Sequence, residues 1–217
     1  MVTKFSLVIL LLSILCISSA SAEGASASML ADTCLGCHGP DGISQGPATP
    51  TISGMSELYI IGAMLAYKFG DDEDKVDEII EADEDLIDVE YFARSSTVMD
   101  RIAQGYSVAE IKLLAKHFAE IPFENAEQPA NADQAKAGAA LHETHCEKCH
   151  ENGGSSAEDD AGVLAGQWAP FLKYTLDDYN SGDREMPKKM KKQMQEAHES
   201  AGDDAMRDLI QFYASQQ

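Results

Sequence analysis

The pentapeptide CLGCH at residues 34–38 recurs as CEKCH at residues 146–150, and this doubled C-x-x-C-H pattern decides the fold. Two cysteines at this spacing can add their thiols to the two vinyl groups of one haem, and the adjoining histidine can bind its iron. A single C-x-x-C pair also occurs in redox dithiols and zinc sites, but a histidine directly after both copies favours c-type haem. We therefore predict two covalently bound haem c groups, with Cys34, Cys37, Cys146 and Cys149 as attachment residues and His38 and His150 as iron ligands.

Residues 1–22 have the pattern of a secretory signal peptide that is removed. Lys4 precedes an apolar run of 13 residues, and the small residues Ala20 and Ala22 form a signal peptidase site. The run is shorter than the roughly 20 residues that a membrane-spanning helix needs, so we predict no membrane span. Cys16 leaves with this segment, and the two haems would use the four cysteines that remain. Because c-type haems are usually attached in the bacterial periplasm, we expect a periplasmic protein.

An internal repeat indicates two domains. At an offset of 112 positions, the two attachment motifs align together with the pairs Gly54 and Gly166, Tyr59 and Phe171, Tyr67 and Tyr179, and Gly70 and Gly182. At an offset of 95, a helical stripe aligns with a second stripe, namely Ile111, Leu114, Ala115 and Phe118 with Met206, Leu209, Ile210 and Tyr213. We predict a first domain over residues 23–121, a proline-containing linker over residues 122–133 and a second domain over residues 134–217.

The fold class predicted for both domains is all-α, because runs of alternating apolar and polar residues are absent. Ser107 and Glu110 form a capping-box pattern at the start of one helix, and Asp133 is the expected cap of a helix over residues 134–145. The first domain alone carries an acidic insertion, residues 71–90. Helical spacing within and just beyond it predicts a surface amphipathic helix that uses Val76, Ile79, Ile80, Ile87 and Tyr91.

A haem held by one histidine needs a sixth ligand, and methionine sulfur is the usual one in electron-transfer cytochromes. Met99, eight residues before Ser107, is the candidate in the first half. Met55 and Met64 are alternatives, but they lie in an apolar segment where a core role is expected.

Three methionines compete for the second haem. Met186, Met190 and Met194 are spaced by four and could share one helical face. Arg94 precedes Met99 by five positions and Arg184 precedes Met190 by six, which favours Met190. Backward alignment from the last helix selects Met194 instead.

The formal net charge is −21, and it is one unit more negative without Lys4. With no basic patch to meet phosphates, nucleic acid is excluded as a partner. The one positive cluster is either a solvated helix face or a docking patch, and it consists of Lys188, Lys189, Lys191 and Lys192.

Three other side chains have open roles. His142 and His145 could belong to an H-x-x-H metal site, but no third ligand is evident and packing is favoured. Trp168 is expected beside the second haem or at an interface.

These residues resemble the tandem diheme class I cytochromes c, and among them the cytochrome subunit of flavocytochrome c sulfide dehydrogenase. The resemblance covers nearly all of the mature chain, and its most specific parts are residues 96–107, the MPKKM run at residues 186–190 and the closing FYASQQ. It implies two tandem class I cytochrome c domains packed face to face, each with a His/Met haem. It also implies a separate flavoprotein subunit that carries FAD, oxidises sulfide and passes electrons to this chain, which is then not an enzyme by itself.

The same family offers a backbone carbonyl to the ligand histidine from the neighbourhood of a proline. Pro50 fits this position in the first half, but Gly162 stands there in the second. Electrons would leave to a soluble or membrane-bound redox acceptor. The alternatives are a free-standing diheme shuttle that donates electrons to a terminal oxidase and a diheme peroxidase, which two methionine-ligated haems count against.

Overall fold

The computed structural model describes residues 25–158 and 161–216, and this part of the chain is helical. Its α-helices are α1 (Ala27–His38), α2 (Glu57–Phe69), α3 (Glu73–Ala82), α4 (Met99–Gln104), α5 (Val108–Ala119), α6 (Ala132–His145), α7 (Glu151–Gly154), α8 (Ala169–Ser181), α9 (Lys188–Ala201) and α10 (Ala205–Ala214). Within these residues there is no β-strand, and Arg94 and Arg184 form an isolated antiparallel bridge. No helix among them is long and apolar enough to cross a membrane. The signal peptide predicted for residues 1–22, including Cys16, lies outside the described residues.

The two halves repeat one arrangement, in which the helix of the attachment motif packs against the last helix of its half. In the first half α1 packs on α5, and in the second α6 packs on α10. Gly138 makes the second contact close, because a side chain there would overlap the backbone carbonyl oxygen of Asp208. The absence of a side chain at Gly138 therefore allows α6 and α10 to approach closely.

Backbone hydrogen bonds occur at the repeated positions. The N–H of Gly54 donates to the carbonyl of Phe118 at 2.9 Å, and the N–H of Gly166 donates to the carbonyl of Tyr213 at 2.9 Å. Both glycines have positive φ, +68° and +71°, a conformation that favours glycine. In each half, a glycine paired by the offset of 112 is thus hydrogen-bonded to a residue paired by the offset of 95. The predicted all-α tandem repeat is confirmed.

Helix starts were predicted with mixed success. Ser107 and Glu110 form the capping box that was predicted for α5. The prediction for α6 was wrong, because the helix begins at Ala132 and the side chain of Asn131 accepts the N–H of Gln134 at 3.0 Å. Asp133 lies within the first turn instead, where a negative charge is also favourable.

The acidic insertion forms a shorter helix than its spacing predicted. Helix α3 ends at Ala82, and the side chain of Asp83 accepts the N–H of Asp85, which starts a 3-10 turn. Val76 of α3 is fully buried, but Ile87 is 67% exposed, and the buried residue of the 3-10 turn is Leu86. The expected place of Ile87 on the apolar face is therefore wrong, because the helical period breaks at Asp83.

Hydrogen bonds between side chains of the second half and the backbone of the first join the two halves. Gln167 is fully buried and exchanges two hydrogen bonds with the backbone of Thr51, at 3.0 and 2.8 Å. The indole N–H of Trp168 donates to the carbonyl of Ser44 at 3.1 Å. Trp168 therefore lies at the contact between the two halves, and its expected place beside the second haem stays a prediction.

The two cores differ in size. The first includes Leu65, Ile111 and Phe118, and it also takes in Val163 from the second half. The second is small and is formed by Leu172, Leu209 and Tyr213 with partly buried neighbours. A domain with so few buried apolar side chains is marginal by itself, so a large apolar cofactor would add substantially to its buried surface.

Candidate haem sites

The first attachment motif occupies the end of α1. Cys34 is partly buried, Cys37 is exposed, and both are free thiols. Burial raises the pKa of the Cys34 thiol, which a hydrogen bond with Thr33 opposes. Cys34 and Cys37 are three residues apart on α1, so their side chains lie next to each other on one face of the helix. His38 directly follows Cys37.

His38 is held in an orientation suited to an iron ligand. Its side chain is buried, and its Nδ1 donates a hydrogen bond to the carbonyl oxygen of Pro50 at 2.9 Å. This contact is the one that the resemblance predicted for Pro50, and it leaves Nε2 for a metal. Burial lowers the pKa of His38, against the opposing effect of the Pro50 carbonyl. The neutral imidazole, which is the form that binds iron, is therefore favoured.

The second attachment motif lies just beyond α6 rather than inside a helix. The N–H of Cys146 donates to the carbonyl of His142 at 2.8 Å, and the N–H of His150 donates to the carbonyl of Cys146 at 3.0 Å. Cys146 is partly buried and Cys149 is exposed, and both are free thiols. As in the first half, burial raises the pKa of the inner thiol, Cys146.

A polar cluster, which we call the His142 cluster, supports this second turn. His142 is 3% exposed; its Nδ1 lies 3.0 Å from the hydroxyl of Tyr213, and its Nε2 contacts the carboxylate of Glu147. Glu147 also accepts the backbone N–H groups of Asn152 and Gly153. His142 therefore packs in the core, as favoured from sequence. The hydrogen-bond partners of His142 were not predicted, although the offset of 112 aligns His142 with the apolar Leu30.

The candidate sixth ligands occupy comparable places after the Arg94–Arg184 bridge. Met99 is partly buried and begins α4. Met186 precedes α9, whereas Met190 and Met194 lie on it one turn apart, and all three are partly buried. Met186 and Met194 line a cavity of about 1230 Å³ that Arg94 and Arg184 also border.

The residues present fit covalent haem on three observations. In each motif the first cysteine is followed three residues later by a second free thiol, and the buried His38 ring is oriented by a carbonyl. The cavity beside the second-half methionines is lined by the partly buried Arg94 and Arg184 and by Tyr179. Thioether bonds need free thiols, iron needs a neutral imidazole, and an acidic cofactor needs cations.

The positive cluster of α9 is exposed. Lys188 and Lys191 border the same cavity, and Lys192 pairs with Glu196 at 3.6 Å. Exposed pairs of this kind contribute little to stability.

Two solved structures share this fold over nearly their whole length. Reduced recombinant cytochrome c4 from Pseudomonas stutzeri matches with a TM-score of 0.66 and 20% identity, over 88% of this chain and 97% of that chain. Cytochrome c4 from Acidithiobacillus ferrooxidans matches with a TM-score of 0.60 and 23% identity, over 85% and 99% of the two chains.

A relative is also found by sequence. The cytochrome subunit of sulfide dehydrogenase from Chlorobaculum tepidum is 34% identical over 97 residues, which cover 45% of this chain and 67% of the relative. The chain belongs to the tandem class I cytochromes c. No protein-family model matches this cytochrome. It also shares its fold with thiosulfate dehydrogenase TsdBA from Marichromatium purpuratum, with a TM-score of 0.63 and 24% identity over 85% of this chain; this cytochrome spans only 36% of that chain.

Proposed function

We propose that this cytochrome carries two covalent haem c groups, one in a domain over residues 23–121 and one in a domain over residues 134–217. Cys34 and Cys37 would attach the first haem, and Cys146 and Cys149 the second. Bound haem iron cycles between the ferric and ferrous states and so carries one electron. Support comes from the four free thiols at repeated positions and from the His38–Pro50 hydrogen bond.

The proposed axial pairs are His38 with Met99 and His150 with Met190. The bridge between Arg94 and Arg184 supports this choice, because it places the two arginines as equivalents and Met99 and Met190 follow them at nearly equal spacing. Met194, which lines the cavity, and then Met186 are the alternatives.

Substitution of each methionine by alanine tests the ligand choice. Loss of Met190 should abolish the weak red absorption of sulfur bonded to ferric iron at one haem, and loss of Met99 should do so at the other. Met186→Ala and Met194→Ala are the matched controls on the same stretch. An unchanged band in Met190→Ala, with loss in one of the controls, transfers the role to that methionine.

We infer that the protein works in the periplasm as the haem subunit that accepts electrons from a flavoprotein oxidising sulfide. The observation that carries this proposal is the 34% identity to a protein described as the cytochrome subunit of sulfide dehydrogenase. The chain itself would position two haems and pass electrons singly to a soluble or membrane-bound acceptor, while FAD and the reaction of sulfide belong to the partner.

Purification from the native host tests this function. Recovery with a flavin-containing subunit, together with reduction of the haems by sulfide, is the expected result. Purification as a monomer whose haems sulfide does not reduce would contradict it and favour the free-standing shuttle to a terminal oxidase. Haem content, measured by mass and by retention of colour after acid-acetone extraction, is a separate test of the two attachment sites.

A further inference from the structure

The His142 cluster lies at the sulfur of one attachment cysteine. The hydroxyl of Tyr213 is hydrogen-bonded to the side chain of Cys146, and it lies 3.0 Å from Nδ1 of His142. Nε2 of His142 contacts the carboxylate of Glu147. These contacts form one chain, which runs from the Cys146 sulfur through a hydroxyl and an imidazole to a carboxylate.

The middle of this chain is buried, and its carboxylate end reaches water. His142 is 3% exposed and Tyr213 is 6% exposed, whereas the side chain of Glu147 is 44% exposed. Burial raises the pKa of Tyr213, so its hydroxyl keeps its proton. A hydrogen bond with His142 lowers the pKa of Glu147, so the carboxylate stays ionised. A proton from solvent therefore reaches the imidazole from the side of Glu147.

The direction of the Tyr213 hydroxyl depends on the charge of the imidazole. When Nε2 donates to the carboxylate, Nδ1 of a neutral imidazole can only accept, so the hydroxyl donates to it. A protonated imidazole donates from both nitrogens, and the hydroxyl oxygen then accepts from Nδ1. The hydroxyl proton can now point at the Cys146 sulfur, which in a thioether has no hydrogen and can only accept. Protonation of His142 is thus linked to a hydrogen bond at the attached sulfur.

The first half carries apolar side chains at the three equivalent positions. The offsets of 112 and 95 place Leu30, Leu35 and Phe118 there, and none of these side chains titrates or donates a hydrogen bond. The helix pair of α1 and α5 nevertheless packs as that of α6 and α10 does. Packing of the repeated fold alone therefore does not require the His142 cluster.

Titratable groups on the other helices that contact α6 are exposed or paired with cations. These groups are Asp208 of α10, which pairs with Arg207 at 2.7 Å, Glu196 of α9, which pairs with Lys192 at 3.6 Å, and the exposed His198 of α9 and Glu151 of α7. Histidine is the side chain whose ordinary change of charge falls between about pH 5 and 8. His142 is therefore the member of the cluster that takes up a proton in this range.

We propose that the His142 cluster is a proton-binding site coupled to the second haem. When this haem gains one electron, His142 takes up one proton from solvent, and the Tyr213 hydroxyl turns from the imidazole to the thioether sulfur of Cys146. The added positive charge and the hydrogen bond both stabilise ferrous iron. Proton binding and reduction therefore favour each other by the same factor. This inference rests on the proposed attachment of haem.

Redox titration of the full-length holoprotein at several pH values tests the coupling. We expect one of the two reduction steps to fall in potential as pH rises from about 5 to 8. Couplings between sites are typically about 5–150-fold, so we expect a change of about tenfold in its equilibrium constant, equal to 59 mV for one electron. The triple substitution His142→Leu, Glu147→Leu and Tyr213→Phe installs the side chains of the first half and should remove this change. Tyr213→Phe alone should leave the pH of the change in place and reduce its size, because the link to sulfur is lost.

Two further variants locate the proton. Glu147→Gln keeps an oxygen for the N–H groups of Asn152 and Gly153 but removes the charge beside the imidazole, so the change should move to lower pH. His145→Gln is the matched control, since it removes the other histidine at the end of the same helix and should leave the change intact. A tyrosine band in the reduced-minus-oxidised infrared spectrum, lost in Tyr213→Phe, is the expected sign of the turning hydroxyl.

A change in potential that persists at full size in the triple variant, or one that disappears in His145→Gln, would overturn the inference. A full-sized change in Tyr213→Phe with an unaltered infrared spectrum would overturn it as well. If the triple variant does not retain haem, the shift to lower pH in Glu147→Gln decides, and its absence counts against the coupling. Haem with pH-independent potentials in the wild type would overturn the coupling alone, whereas lack of haem would refute the proposed function.

Discussion

The first and second halves place different chemistry at the same three positions of one fold. The first has Leu30, Leu35 and Phe118 packed in or against its core. At the offsets of 112 and 95, the second half has the members of the His142 cluster, namely His142, Glu147 and Tyr213. An apolar contact of two helices has thus been exchanged for a buried hydrogen-bond network without a change of fold.

The loops that follow the two attachment motifs differ in a way that accounts for Glu147 in the second half. In the second half, Glu147 accepts the N–H groups of Asn152 and Gly153, both of which have positive φ. The position of Asn152 corresponds to Pro40, and proline has no N–H to satisfy. The N–H of Asn152 therefore needs a hydrogen-bond acceptor in the second half, whereas Pro40 needs none in the first. The buried imidazole of His142 contacts the carboxylate of Glu147 and the hydroxyl of Tyr213, so we infer that the three residues act as a unit.

Disruption of the second helix pair should have the largest effect. Gly138→Ala places a methyl group against the backbone of Asp208, so α6 and α10 must move apart. We expect a loss of more than about 3 kcal/mol in the free energy of unfolding, the upper range for overpacking. Chemical denaturation of the holoprotein measures it. Ala140→Leu, at an exposed position of the same helix, is the control and should be neutral. A neutral Gly138→Ala would mean that the helices do not cross this closely.

Transfer of the imidazole alone into the first half comes next. Leu30→His puts a polar ring beside Phe118, which has no hydroxyl, and beside Leu35, which has no carboxylate. The loss of apolar contact and an unsatisfied donor should together cost about 2–3 kcal/mol. Addition of Leu35→Glu and Phe118→Tyr should recover part of this loss in the same denaturation assay. A further loss in the triple variant would contradict the view that the residues act as a unit.

The reverse transfer sharpens the comparison. His142→Leu removes the imidazole partner of the Tyr213 hydroxyl and leaves it only the weakly bonding sulfur of Cys146, at a cost of about 2 kcal/mol. The triple variant with Glu147→Leu and Tyr213→Phe reproduces the first half, and it should be more stable than His142→Leu alone. If each substitution instead adds its own loss, the network contributes net stability rather than replacing an equivalent apolar contact.

Sequence patterns predicted those parts of the fold that rest on local periodicity or on repetition. The offsets that paired Gly54 with Gly166 and Phe118 with Tyr213 correspond to two identical backbone hydrogen bonds. The Ser107 and Glu110 pattern likewise predicted a cap that these two residues form by themselves. The extent of α3 was mispredicted, because spacing alone does not show that the Asp83 side chain ends the helix in favour of a turn.

Contacts between distant residues were beyond reach of these patterns. Gln167 and Thr51 lie 116 positions apart, and only folding brings them together. Arg94 and Arg184 were used in the sequence as landmarks for the methionines, but their pairing depends on how the halves meet. The ligands Met99 and Met190 remain predictions, because Met186, Met190 and Met194 are all partly buried.

The smallest expected difference lies at the start of the last helix of each half. Ser107 caps α5 through the N–H of Glu110, whereas Asp204 at the start of α10 makes no side-chain cap and pairs with the exposed Arg207. Ser107→Ala should cost about 1 kcal/mol, and Asp204→Ala no more than about 0.5 kcal/mol. Equal losses would mean that the capping box adds nothing beyond an exposed pair.

The pH dependence separates the two halves of the capping box. The backbone N–H of Ser107, then its hydroxyl, lowers the pKa of Glu110. A lowered folded-state pKa contributes stability that is present above the unfolded pKa and is lost as pH falls through the folded value. Glu110→Gln should therefore be less stable than wild type near neutral pH, and the difference should vanish in acid. A difference that persists below the folded pKa would show that the glutamate acts by packing and not by its charge.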